Sequence, residues 1–242
     1  VRDMKLQSAA PEVFAAFKKT RPSSKEGAYY RDLNEALLAI PDSAWSAELL
    51  AMVEADWPVR DPNKKPSPET ISALRDQAYQ TITAAQVLGE LGDPAAVKPL
   101  MKIVLDPTRA DAANEALLAL TKIGKPSVDA AVKLLKDEDK ELADYYKKRI
   151  QKATGADKPP EGSPHIAQAA AILGAIGRTE GIAPILAALP AAKDEEKVGL
   201  LNALAMLPHT PEVKSAFKEG FQGLPASTSA GGQNASAVLS EG

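Results

Sequence analysis

Few side chains in this sequence could do chemistry, and their surroundings decide what that chemistry would be. Histidine, the commonest proton carrier and metal ligand near neutral pH, occurs only at His165 and His209. The two are isolated in the chain and read as surface or capping groups rather than metal ligands. The lack of cysteine removes thiolate nucleophiles, disulfides and every zinc site that needs sulfur. Two Gly-x-x-Gly stretches, Gly89–Gly92 and Gly174–Gly177, have the spacing of a dinucleotide loop, but no strand precedes either and both lie where a helix ends. Asp93 follows the first stretch and suits the cap of the next helix, while Glu195 and Glu196 open a helix whose dipole accounts for them. Trp45 and Trp57 read as core fillers or loop anchors. Tyr145 and Tyr146 either pack an inserted helix onto its neighbours or offer a contact patch. No catalytic residue, metal or cofactor is expected.

Bulk properties exclude further classes. The 242 residues carry 29 Lys and Arg against 32 Asp and Glu, so no whole-chain basic field exists to hold nucleic acid. The longest apolar run, Ile166–Gly177, is 12 residues long and contains Gln168. A membrane-spanning helix needs about 20, so no membrane span is expected in this segment. No signal-peptide pattern opens the chain, and a first residue of Val1 suggests a processed, trimmed or excerpted sequence.

The elements that would position any site come from a repeat. The phrase Leu88-Gly89-Glu90-Leu91-Gly92-Asp93-Pro94 recurs as Leu120–Pro126 and Leu173–Thr179, more weakly as Leu204–Thr210, and weakest as Leu37–Asp42. Marker positions 41, 92, 124, 177 and 208 are separated by 51, 32, 53 and 31 residues. The unit is therefore 31–32 residues, with two insertions. Each copy reads as helix, turn, helix. Before the marker, Ile71, Leu74, Ala78, Ile82, Ala85 and Leu88 fall at helical spacing, as do Ala113, Ala116, Leu117, Leu120 and Ile123. After it come Val97, Leu100, Met101 and Val104, with equivalents from Val128, Ile182 and Val213. The marker Gly ends the first helix in a left-handed conformation, and a following Pro suits the start of the second. No alternating β-branched run calls for a sheet.

These signals divide the chain as follows. Residues 1–27 form a partial N-terminal helical segment around Pro11–Lys19, and 28–56 a degenerate helix pair. Residues 57–68 are a Pro-rich loop closed by Ser67 as N-cap and Pro68 at the first helical position. Two repeats occupy 69–137, an inserted helix (Glu138 to about Ala153) and loop fill 138–163, and two further repeats occupy 164–221. The inserted helix is acidic early and basic late, which complements its dipole. In 222–242 a Ser/Gly/Ala loop is followed at Asn234 by what reads as the start of a further repeat.

The stretch Ala84–Leu100 closely resembles the HEAT repeat of bacterial α-solenoids, and Gly181-Ile182-Ala183-Pro184-Ile185-Leu186 resembles the same second-helix signature. The resemblance is strong over 71–105, 109–137 and 164–189, fair over 194–221 and weak over 28–56. It implies an all-α fold, an α-solenoid in which antiparallel helix pairs stack into a right-handed superhelix. Similar Ala-rich arrays include cytoplasmic regulators and exported bacterial lipoproteins, which leans the location toward the bacterial cell envelope. HEAT-type hydroxylases bind iron through His-Glu pairs, whereas here Ile166 follows His165 and Thr210 follows His209. HEAT-like DNA glycosylases need a basic, aromatic-lined groove, and the two tryptophans fall in the poorest repeat and its loop. Nothing marks a bilin lyase's chromophore pocket.

The expected function is accordingly a non-catalytic scaffold for protein–protein interaction within a longer array; the alternatives are a HEAT-type enzyme or accessory lyase, or a structural spacer. In each second helix, the positions one and five residues after its first apolar residue point away from the core. They are Lys98 and Lys102, Asp129 and Lys133, Ala183 and Ala187, and Lys214 and Lys218. Second helices line the concave side of arrays that this sequence resembles. Five lysines against one aspartate would make a basic ridge for an acidic or mixed-charge polypeptide.

Overall fold

The structure, a computed structural model, describes residues 8–23, 29–58 and 65–221. The expected repeat start at Asn234 lies outside the described residues, as does the middle of the Pro-rich loop. Among the described residues the chain is all-α, with twelve α-helices and no strand, arranged as the helix pairs of an α-solenoid. They fall into two compact units, residues 1–104 with 109–123, and residues 105–108 with 124–242.

The first unit holds α1 (Ala10–Lys19), α2 (Tyr30–Ala39), α3 (Ser46–Glu54), α4 (Pro68–Leu91), α5 (Val97–Val104) and α6 (Ala110–Ile123). First helices pack side by side, α2 on α4 and α4 on α6, while the second helices α3 and α5 pack beneath them. Ser67 caps α4, its hydroxyl accepting the Thr70 N–H at 3.2 Å, with Pro68 in the first turn. Gly92 ends α4 at φ 62°, a left-handed cap, and Asp93 accepts the Ala95 N–H to start the next turn. The core includes Leu88, Leu100, Met101, Ile103 and Leu120, all without solvent exposure. Trp45 is a core filler stacked on Phe14 with ring centroids 4.7 Å apart. Trp57 is a loop anchor whose indole N–H donates to the Thr81 hydroxyl.

The second unit holds α7 (Lys125–Leu135), α8 (Lys140–Thr154), α9 (His165–Ile176), α10 (Ile182–Ala188), α11 (Asp194–Ala205) and α12 (Pro211–Phe221). Here α9 packs between α7 and α11, and α10 between α7 and α12. Gly177 closes α9 at φ 74° as a left-handed cap.

Several expectations need correction. Gly124 has positive φ but ψ −122°, outside the left-handed helical region. It is the N-cap of α7, because this turn lacks the short 3-10 segment that follows Gly92 and Gly177. The inserted helix starts at Lys140 rather than Glu138, because Asp139 is its N-cap and accepts the Leu142 N–H. His165 is buried rather than on the surface, its Nε2 lying 3.1 Å from Asp137. The first half of the α4 stripe is not core: Ile71 is 45% exposed, and Leu74, Ala78 and Ile82 are half-buried.

Candidate functional site

Glycine shows how the repeat is built and why its Gly-x-x-Gly is not a phosphate loop. The second glycine is the helix cap; the first is a close-approach point. A Cβ on Gly89 would lie 2.8 Å from Ala119 Cα, and one on Gly174 2.8 Å from the Ala203 carbonyl. Each pair lets two first helices touch backbone to backbone. No group of three or more His, Asp or Glu among the described residues is placed to hold a metal.

The predicted ridge divides between the units. In the second unit, Asp129 and Lys133 on α7, Ala183 and Ala187 on α10, and Lys214 and Lys218 on α12 are all exposed. Because α10 packs between α7 and α12, the two alanines lie on the helix between the lysine-bearing ones. Asp129 is already ion-paired to Lys125 at 2.8 Å, which leaves its share of the face partly neutralised. In the first unit Lys98 and Lys102 on α5 are only half-exposed and take part in other interactions.

A concave site that the sequence did not disclose lies in the first unit. A cleft of about 980 Å³ has α4 as its floor, α2 as one wall, and Asp111 at the start of α6 as part of the other. Its apolar surface comes from Ile71, Leu74, Ala78 and Ile82, with Tyr30 and Tyr79 meeting edge-to-face at 5.6 Å. The Tyr79 hydroxyl donates to the Tyr30 carbonyl at 3.1 Å. Burial pushes Tyr79 up to about 12, partly offset by the neighbouring Thr83 hydroxyl, so it stays a neutral donor. Asn34 Oδ1 on the α2 wall is buried without a hydrogen-bond partner among the described residues. Arg31, Arg75, Glu35 and Asp111 also line the cleft. Arg31 lies 5.7 Å over the Tyr30 ring. The sequence signal that could have exposed this site is the length of α4: its apolar stripe begins far upstream of its cap.

Buried charges elsewhere are structural. Asp106, 1% exposed, accepts from the Thr108 N–H and hydroxyl at 3.0 and 2.7 Å, and faces Arg149 at 3.1 Å and the Tyr145 hydroxyl at 3.3 Å. Tyr145 therefore packs the inserted helix onto its neighbours. Arg109, also buried, donates to the Val53 and Ala55 carbonyls at the end of α3 and lies 5.8 Å over Trp57.

No single helix among the described residues is long and apolar enough to cross a membrane. A model of the PBS lyase HEAT-like repeat matches residues 82–106, the end of α4 through α5. No curated protein and no solved structure matches the chain. The matched repeat lies in a chain that is all-helical and built from paired helices among the described residues, and these two findings together support a HEAT-like repeat protein.

Proposed function

We propose that the protein is a non-catalytic scaffold that binds another polypeptide through the exposed faces of its second helices. The observation that carries this reading is the layer α7–α10–α12, where Lys133, Lys214 and Lys218 flank the bare stretch at Ala183 and Ala187. An acidic or mixed-charge chain could lie across it, steered by the lysines and seated on the small side chains. Exposed charge contacts each contribute only about 0–1 kcal/mol, so affinity rests on several together with burial. Lys98 and Lys102 on α5 are the corresponding positions of the first unit.

The test replaces Lys133, Lys214 and Lys218 with Glu and measures binding of a fluorescent Glu/Asp-rich peptide together with thermal stability. Lost binding at unchanged melting temperature supports the reading; unchanged binding removes it. The family's description names a lyase, and that favours a second reading, an enzyme or lyase accessory. That class requires a small-molecule ligand, and the cleft of the first unit is where it would be sought.

A further inference from the structure

The α4 stripe is the feature that repeat packing leaves unexplained. Helices α4 and α6 run parallel: Gln86 donates to Glu115 at 2.9 Å, Glu90 pairs with Lys122, and Gly89 meets Ala119, offsets of 29, 32 and 30 residues, about 30 on average. By that offset Ala110, where α6 begins, falls level with Gln80. On the other side α2 begins at Tyr30, level with Tyr79. The first half of the 24-residue α4 thus runs past both neighbours. Ser23 covers one side of it, its N–H and hydroxyl on Asp76 at 2.9 and 2.6 Å. The other side carries Ile71, Leu74, Ala78 and Ile82, at the spacing a helix uses to pack against another helix.

We propose that this cleft receives an amphipathic helical segment of a partner polypeptide, laid along α4 with its apolar stripe on these four residues. Three observations point to a peptide rather than a compact ligand. The cleft, about 980 Å³, is at the upper end of small-molecule sites, about 300–1,000 Å³. Its apolar floor has helical periodicity, the arrangement of helix-in-groove recognition. Its charges are ordered along α4: Arg75 lies at the outer end, while Asp111 and Glu35, on helices that begin level with Gln80 and Tyr79, lie at the end nearer Ile82, with Arg31 beside them over the Tyr30 ring. Arg75, Glu35 and Asp111 form no ion pair among the described residues, so each is available to a partner charge of opposite sign. The segment therefore carries an acidic side chain toward Arg75 and a basic one toward Asp111. This inference rests on the reading of the protein as a polypeptide-binding scaffold but uses a different surface.

The test is selection of phage-displayed 18-residue amphipathic helices against the full chain, with affinities of recovered peptides measured by fluorescence anisotropy. Recovered peptides should carry apolar residues at i, i+3 or i+4, and i+7, with an acid at one end and a base at the other. Ile71→Lys should weaken them at least tenfold, and Leu74→Lys should do the same. Ile71 is exposed, so its variant folds even if the Leu74 variant does not. Reselection on Arg75→Glu should exchange the acidic residue for a basic one. Lys214→Glu with Lys218→Glu should leave affinity unchanged; loss there alone would place the partner on the second-helix face and overturn the cleft. Recovery of no peptide, peptides indifferent to Ile71→Lys, or displacement of bound peptide by micromolar dodecanoate would also overturn it. The last result would favour a small amphiphile instead.

Discussion

The turn between α5 and α6 carries two buried ionic groups, Asp106 and Arg109, and each secures a different interruption of the repeat. In the second unit Asp106 binds side chains, Arg149 and Tyr145 of the inserted helix α8, and the Thr108 hydroxyl. In the first unit Arg109 binds backbone, the carbonyls that α3 leaves unpaired at its C-terminus, beneath the Trp57 ring. The comparison shows two ways of making a buried charge tolerable. Asp106 needs partners that arrive with a helix, so it ties a mobile choice of docking to one geometry. Arg109 uses dipoles that the preceding helix supplies, whatever the intervening loop does. An inserted helix requires tertiary contacts to stay down, whereas an inserted loop requires only that its ends be closed.

That contrast can be broken experimentally. The largest effect is expected from Asp106→Ala, which takes the carboxylate away from Arg149, Tyr145 and Thr108 and should cost about 3 kcal/mol. Hydrogen exchange should show α8 losing protection while α3 keeps it; equal loss in both would mean that the two anchors are not separate. Arg109→Met should cost less, about 2 kcal/mol, because the freed Ala55 carbonyl can turn to water. Here α3 and the region of Trp57 should be the part that loosens, read by tryptophan fluorescence. Matching losses from the two variants would remove the distinction between side-chain and backbone partners.

Close helix contacts offer a control, since both units use the same device. Gly89→Ala and Gly174→Ala should each destabilise by about 1–3 kcal/mol through overpacking against Ala119 and Ala203. Gly92→Ala, where nothing stands in the way of a Cβ but φ is 62°, should cost only about 1 kcal/mol. Denaturant midpoints would order the three, and a Gly92 variant worse than Gly89 would mean that the cap, not the contact, governs stacking.

The smallest effect is a pH dependence confined to the second unit. Burial pushes His165 below its ordinary pKa, and Lys147 and Lys140 push the same way, while Asp137 opposes them. The folded state therefore resists protonation. Its contribution is complete above about pH 6.5, is lost as pH falls toward the depressed value, and levels off below it. The melting temperature should fall between about pH 7.5 and 5. His165→Gln should flatten that slope, and a slope unchanged by the substitution would assign it to other groups.

Much of the fold was legible because helix and cap signals are local. The Ser67–Pro68 start, the Gly92 and Gly177 caps and the 31–32-residue spacing each follow from backbone preferences within a few residues. The lysine positions were legible for the same reason, since helical period alone sends Lys133, Lys214 and Lys218 to solvent. The cleft was not legible. Periodicity identified Ile71, Leu74, Ala78 and Ile82 as one face of a helix but carried no information on whether a neighbour extends far enough to cover it.

By itself, the sequence determined that this is a chain of paired helices with two interruptions, because alanine-rich stripes, caps and turn glycines act locally and repeat. Tertiary structure alone decided what those stripes meet. Whether an apolar face becomes core or cleft depends on the lengths and relative offset of three parallel helices, α2, α4 and α6. Whether His165, Asp106 and Arg109 are buried depends on elements distant in the chain arriving beside them. Such burial is a property of neighbours, and no single helix encodes its neighbour's end.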